Sequence, residues 1–143
     1  MKARKESGVV TRRQFMAASA MAGAAWAAGC TSQSGDWESL RSDQAGILAA
    51  ICDQIVPADD FPSASQAGVV IYIDRQLRRH YRRHRMAYAR GLEQAESIST
   101  RRFGRGLTQA SAEQRLQVAR ALEQESRAFF ELVRKHTLEG YYG

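Results

Sequence analysis

The clearest helical pattern in the chain lies in residues 69–90, which read VVIYIDRQLRRHYRRHRMAYAR. At 100° per residue, the arginines of this segment fall within an arc of about 160°. They are Arg75, Arg78, Arg79, Arg82, Arg83, Arg85 and Arg90. Apolar residues such as Val69, Ile73 and Leu77 fall on the opposite third or so of the helix. The segment therefore predicts an amphipathic helix with a basic face and an apolar face.

The same pattern extends over residues 67–98. An unbroken helix of about 30 residues would be about 45 Å long. A folded body of about 113 residues has a radius of gyration of only about 13 Å. We therefore expect a break between Arg79 and Arg85 that divides the segment into two helices. His80 and His84 fall on the apolar arc and are expected to be buried or interfacial.

The rest of the body also has helical spacing. Ser42 is the expected N-cap of a first helix, and Pro57 is expected to end it. Cys52 lies on the apolar stripe of this helix and is predicted to be a small core residue. Ser111 and Gln114 form a capping-box pattern for a helix over 112–123, and a last helix is expected over 125–138. No segment alternates with the period of a strand. The predicted fold is all-α, a small bundle of about five helices behind an N-terminal signal segment.

The charge is concentrated at the N-terminus. The chain has 21 Lys and Arg against 15 Asp and Glu, a formal charge of +6. Residues 1–29 account for +4 of this charge, and residues 31–143 for only +2. So weak a charge on the body argues against a nucleic-acid partner. The two cysteines, Cys30 and Cys52, are too few for a disulfide scaffold.

The first 30 residues have the layout of an export signal. A basic start is followed by Arg12, Arg13 and Phe15, and then by a short, uncharged, alanine-rich stretch. The arginine pair resembles a twin-arginine signal, which directs folded proteins out of the cytoplasm through the Tat translocase. We therefore divide the chain into a signal segment at 1–29, a flexible tether at 30–41 and a helical domain at 42–143. The expected location is the periplasm.

The end of the leader allows two interpretations. Ala28, Gly29 and Cys30 resemble a bacterial lipoprotein box, in which the cysteine thiol is acylated. Cys30 is therefore a candidate for lipid attachment, which would hold the protein at a membrane surface. The alternative is an ordinary signal-peptidase cut after the Ala-Trp-Ala sequence of residues 25–27.

The body shows no catalytic or metal-binding constellation in its sequence. The paired carboxylates Asp59 and Asp60 lie in a proline-containing loop, where turn formation is favoured over acid–base or cation chemistry. The arginine face has two open interpretations. It is either a solvated face or a docking surface for an acidic partner or anionic lipid.

Four segments carry a resemblance that covers nearly the whole chain. Besides the leader ending in Gly29 and Cys30, they are QIVPADD at 54–60, AGVVIYID at 67–74, and FFELVR at 129–134 running into TLEGYYG at 137–143. In these the chain resembles the gluconate 2-dehydrogenase subunit 3 family, the small gamma subunit of membrane-bound sugar and sugar-acid dehydrogenases. Family members commonly continue beyond this Gly-Tyr-Tyr-Gly sequence, whereas the chain ends at Gly143.

The resemblance implies an accessory subunit with no catalytic, cofactor or metal site and no activity alone. FAD would belong to a large flavoprotein of the glucose-methanol-choline (GMC) type, and electrons would pass to a cytochrome c subunit with haem c or to another acceptor. The small subunit would supply the Tat signal for the folded pair. The candidate partner interface consists of Arg75, Arg79, Arg82, Arg83, Tyr141 and Tyr142. The alternative function is a free-standing periplasmic lipoprotein whose arginine face binds an acidic partner or anionic lipid.

Overall fold

The computed structural model describes residues 36–143, which form one compact unit. The predicted signal residues Arg12, Arg13 and Phe15 and the candidate lipid site Cys30 lie outside these residues. Five α-helices make up the unit: α1 Ser42–Ile55, α2 Val69–Arg78, α3 Arg85–Phe103, α4 Ala112–Glu125 and α5 Arg127–Tyr142. Residues 36–143 contain no strand, so the all-α prediction is confirmed. Within that range, no helix combines the length and the apolar composition needed to cross a bilayer.

Helix α1 lies at the centre of the bundle and packs against each of the other four helices. Leu48, Ile51 and Cys52 on its apolar stripe are almost completely buried, as their helical spacing predicts. The thiol of Cys52 accepts a hydrogen bond from Thr137 Oγ1 of α5 at 3.3 Å. Burial raises the pKa of Cys52 to about 12, so the thiol stays protonated and serves as a core group.

The break predicted between Arg79 and Arg85 is confirmed. Helix α2 ends at Arg78, a 3₁₀ turn covers Arg82–His84, and α3 begins at Arg85. Arg85 Nε donates to the carbonyl of Leu77 at 2.9 Å and so satisfies a carbonyl at the end of α2. The expectation that His80 is buried or interfacial is wrong. His80 is exposed, because the helical arc on which it was placed ends before it.

Helix termini differ from the prediction by small amounts. The N-cap of α1 is Arg41, not Ser42, and its N–H donates to Gln44 Oε1 at 3.0 Å. The capping box of α4 is confirmed, with the Ser111 hydroxyl accepting from the Gln114 N–H at 3.2 Å. Helix α5 continues to Tyr142 instead of ending at residue 138, so both C-terminal tyrosines are helical.

A buried carboxylate fixes the segment that precedes α1. Asp74 of α2 is 2% exposed and accepts three backbone hydrogen bonds of 2.8–2.9 Å from residues 38–40, named here the lead-in segment. Three N–H donors compensate the desolvation of its charge. The sequence predicts a flexible tether at 30–41, which includes these residues. They belong instead to the folded unit, which begins at Asp36.

Two helix contacts depend on glycine. A Cβ on Gly140 of α5 would lie 2.6 Å from Cδ1 of Tyr72 on α2. A Cβ on Gly91 of α3 would overlap the ring of Phe129 on α5. Because each glycine leaves room for an aromatic ring, the last helix packs closely against both α2 and α3.

Candidate functional site

An aromatic network joins the turn before α3 to the last helix. The ring of Tyr81 stacks on the ring of His136 with centroids 3.6 Å apart and an angle of 3° between the planes. The hydroxyl of Tyr81 contacts the hydroxyl of Tyr72 at 3.1 Å and donates to the carboxylate of Glu139. On the other side, Tyr88 Oη lies 2.9 Å from His136 Nδ1. The network thus fixes α5 against α2 and α3.

The environment of this network favours neutral side chains. Burial lowers the pKa of His136 to about 4, with Glu139 opposing the shift and His84 and Lys135 adding to it. Burial and the bond to Glu139 raise the pKa of Tyr81, and burial also raises the pKa of Tyr88. Since His136 is only 2% exposed and uncharged at neutral pH, its imidazole has little access to a substrate. The network is therefore suited to positioning α5.

The end of α5 presents exposed aromatic side chains. Tyr142 is 75% exposed, and Phe61 in the loop between α1 and α2 is 70% exposed. Tyr141 Oη donates to the carbonyl of Pro62 at 2.8 Å, which ties the loop to the helix. We call the exposed Phe61 and Tyr142, together with the half-buried Tyr141, the aromatic surface. Rings of this kind are enriched at protein interfaces, where each buries a large apolar area.

The loop that carries Phe61 has a defined conformation. Asp59 Oδ1 accepts from the N–H of Phe61 at 2.8 Å, and the N–H of Asp59 donates to the carbonyl of Phe61 at 3.1 Å. The turn chemistry expected for Asp59 is confirmed. Asp53 of α1 holds the other end of the loop by accepting from the N–H and the hydroxyl of Ser65 at 2.8 and 2.7 Å. The loop is therefore a fixed support for Phe61.

The seven arginines of residues 75–90 are all exposed. The break after α2 distributes them over the end of α2, the turn and the start of α3 instead of one continuous helix face. Arg78 lies 3.7 Å from the carboxylate of Glu38. Within residues 36–143, no carboxylate lies within 4 Å of a guanidinium nitrogen of the other six, which we call the arginine surface: Arg75, Arg79, Arg82, Arg83, Arg85 and Arg90.

The predicted interface residues thus divide between two surfaces. Tyr141 and Tyr142 belong to the aromatic surface, and Arg75, Arg79, Arg82 and Arg83 belong to the arginine surface. Helices α2 and α5 pack against each other, so the two surfaces are carried by neighbouring helices. Phe61 was missed by the interface prediction, although an aromatic residue between two loop prolines is a visible signal of exposure.

A groove of about 570 Å³ lies between α1 and α3. Its wall includes Glu93 and Glu96, and Arg41 pairs with Asp43 at its rim at 3.0 Å. Glu96 is already engaged, because its Oε2 accepts from the N–H of Leu107 at 2.9 Å. Within the described residues, no three His, Cys, Asp or Glu side chains converge to hold a metal ion. Among the described residues, the groove therefore contains no assembled set of metal ligands.

Comparison with models of known protein families gives a match that covers most of the chain. Residues 42–143, which include all five helices and both surfaces, match the family model described as Gluconate 2-dehydrogenase subunit 3. No curated protein and no solved structure matched the chain.

Proposed function

Because the chain belongs to the gluconate 2-dehydrogenase subunit 3 family, we propose that it is the small accessory subunit of a periplasmic, membrane-associated FAD-dependent dehydrogenase. In this role the chain performs no redox chemistry. A large GMC-type flavoprotein subunit holds the FAD and oxidises a sugar or sugar acid, and a cytochrome c subunit carrying haem c accepts the electrons.

The observation that carries the proposal is the family match over all five helices, together with the exposed aromatic surface. We assign the aromatic surface to docking of the large flavoprotein. Its two most exposed side chains, Phe61 and Tyr142, are the sequence neighbours of Pro62 and Tyr141, which a hydrogen bond joins. Preorganised aromatic side chains lose little conformational entropy on binding and are frequent hot spots of protein interfaces.

The leader supports a second proposed role of the accessory subunit, which is export of the complex. The pair Arg12 and Arg13 supports export by the Tat pathway, which carries cargo that has already folded. A flavoprotein that takes up FAD in the cytoplasm has to cross the membrane folded. A small subunit that binds the flavoprotein there and carries the signal would export both together. Acylation of Cys30 would then hold the complex at the membrane.

Co-purification with surface variants tests the docking assignment. The tagged chain, and the same chain with Phe61→Ser and Tyr142→Ser, are isolated from the native host, and bound proteins are identified by mass spectrometry. Gln124→Ser is the control, because Gln124 is exposed near the end of α4 and belongs to neither the aromatic surface nor the arginine surface. We expect the double variant to lose the large subunit and the control to keep it.

Two results would contradict these proposals. Retention of the large subunit by the double variant contradicts docking through the aromatic surface. If the unmodified chain elutes without a large flavoprotein, the accessory-subunit proposal itself is wrong. The free-standing lipoprotein would then replace it.

A further inference from the structure

We propose that the arginine surface binds the phosphate groups of an anionic phospholipid bilayer. This proposal goes beyond the accessory role and does not depend on it. Six exposed guanidinium groups without a carboxylate neighbour in residues 36–143 repel one another. An external array of anions relieves that repulsion. Each guanidinium can donate two parallel hydrogen bonds to a phosphate, a geometry that lysine does not offer.

An exposed apolar side chain accompanies the arginine surface. Met86 lies in the first turn of α3, directly after Arg85 and one helical turn before Arg90, and is 63% exposed. A bilayer interface accommodates both features, because cations reach its phosphates while an apolar side chain enters the acyl boundary. Met86 therefore favours a lipid surface over a purely acidic partner.

The lead-in segment, through which the chain enters the folded unit, lies next to residues of the arginine surface. Asp74 binds the N–H groups of the lead-in segment, and the carboxylate of Glu38 in that segment faces Arg78. A groove of about 370 Å³ is lined by the lead-in segment together with Arg85 and Met86. The chain therefore enters the folded unit beside the arginine surface.

This path connects the surface to the proposed anchor. Cys30 precedes Asp36 by only six residues in the sequence. Because six extended residues span at most about 22 Å, an acyl group on Cys30 would keep the folded unit within reach of the membrane surface. The lipid anchor would hold the protein at the membrane, and the arginine surface would orient the folded unit against the phosphates.

Vesicle binding tests the proposal. The full chain carries Cys30→Ser, so that no acyl group contributes, and is sedimented with vesicles of phosphatidylcholine alone or mixed with phosphatidylglycerol. We expect binding only to the mixed vesicles, and weaker binding as salt is added. The triple variant Arg79→Gln, Arg82→Gln and Arg83→Gln should bind about 100-fold more weakly at low salt, since each arginine near an anionic surface contributes about fivefold.

A second triple variant serves as the matched control. Arg105→Gln, Arg120→Gln and Arg127→Gln remove the same charge from exposed positions outside the surface and leave the leader unchanged. We expect it to bind nearly as well as the parent chain. Equal losses in both triple variants would overturn the proposal, because they would show a nonspecific charge effect. Unchanged vesicle binding by the first variant would also overturn it. If the first triple variant kept its vesicle binding but lost the large subunit in the co-purification experiment, the arginine surface would be a protein-docking site.

Discussion

The imidazole of His136 lies parallel to the phenol of Tyr81, with 3.6 Å between the ring centroids. This stack joins the turn between α2 and α3 to the last helix. Burial of the imidazole favours its neutral form and lowers the pKa of His136 to about 4. Because α5 ends in Tyr141 and Tyr142, the stack links the protonation of a buried ring to the position of the aromatic surface.

Acid should weaken the fold through His136. The unfolded chain binds the proton with a pKa of about 6.5 and the folded chain with a pKa of about 4. Stability from the neutral ring is therefore fully present above pH 6.5 and is lost as the pH falls toward 4. The loss amounts to at most about 3 kcal/mol. Thermal unfolding between pH 7 and 4 measures it, and His136→Gln should have a shallower pH dependence. Equal slopes would contradict this role.

Asp74→Asn should lower the free energy of unfolding by about 2–4 kcal/mol, because charge-assisted bonds to three backbone N–H groups are lost or weakened. The amide also turns an NH₂ group toward N–H donors. Urea unfolding measures the change, and Asp60→Asn in the exposed loop is the control. Hydrogen exchange should become faster at residues 38–40 in the Asp74 variant. Equal stabilities of the two variants would show that Asp74 does not anchor the lead-in segment.

Gly140→Ala should destabilise the fold, although alanine has the higher helix propensity. The new Cβ would lie 2.6 Å from the ring of Tyr72, and overpacking of this kind costs about 1–3 kcal/mol. A double-mutant cycle with Tyr72→Ala checks the cause. The combined variant should lose less stability than the sum of the single variants. A stabilised Gly140→Ala chain would mean that propensity, and not ring contact, decides at this position.

Replacing Arg12 and Arg13 with lysine tests the proposed Tat export and should abolish it, because a twin-arginine signal depends on the guanidinium pair. Periplasmic fractions of the native host are probed for the tagged chain and for the large subunit. We expect both to be absent from the periplasm in the double variant. Arg4→Lys, in the same leader, is the control and should be exported. Export of the double variant would assign the leader to a different pathway.

Much of the fold follows from local patterns. The apolar stripe of α1, the capping box at Ser111 and the break before Arg85 each depend on residues close in the chain or on a length limit. The end of α5 was predicted four residues too early. Its continuation depends on Gly140 fitting against Tyr72 and on the bond from Tyr141 to Pro62, and both contacts join distant segments.

The contacts that hold the two surfaces in place were also harder to predict, because they join residues that are distant in the sequence. Asp74 lies one turn after Val70 and one turn before Leu77, and both neighbours are buried. That placement could have indicated a buried carboxylate, but its partners lie more than 30 residues earlier. The stack of Tyr81 on His136 spans 55 positions and follows no local period. The arginines were identified correctly as exposed, and the predicted break divides them over two helices, whereas the 3₁₀ turn at Arg82–His84 was not predicted.

The most direct test of the accessory-subunit account is isolation of the tagged chain from solubilised membranes and periplasm of the native host. Bound proteins are identified by mass spectrometry, and the eluate is scanned for flavin absorbance. The account predicts a large flavoprotein that elutes with the chain and gives the eluate a flavin spectrum. A chain that elutes alone and colourless would contradict it.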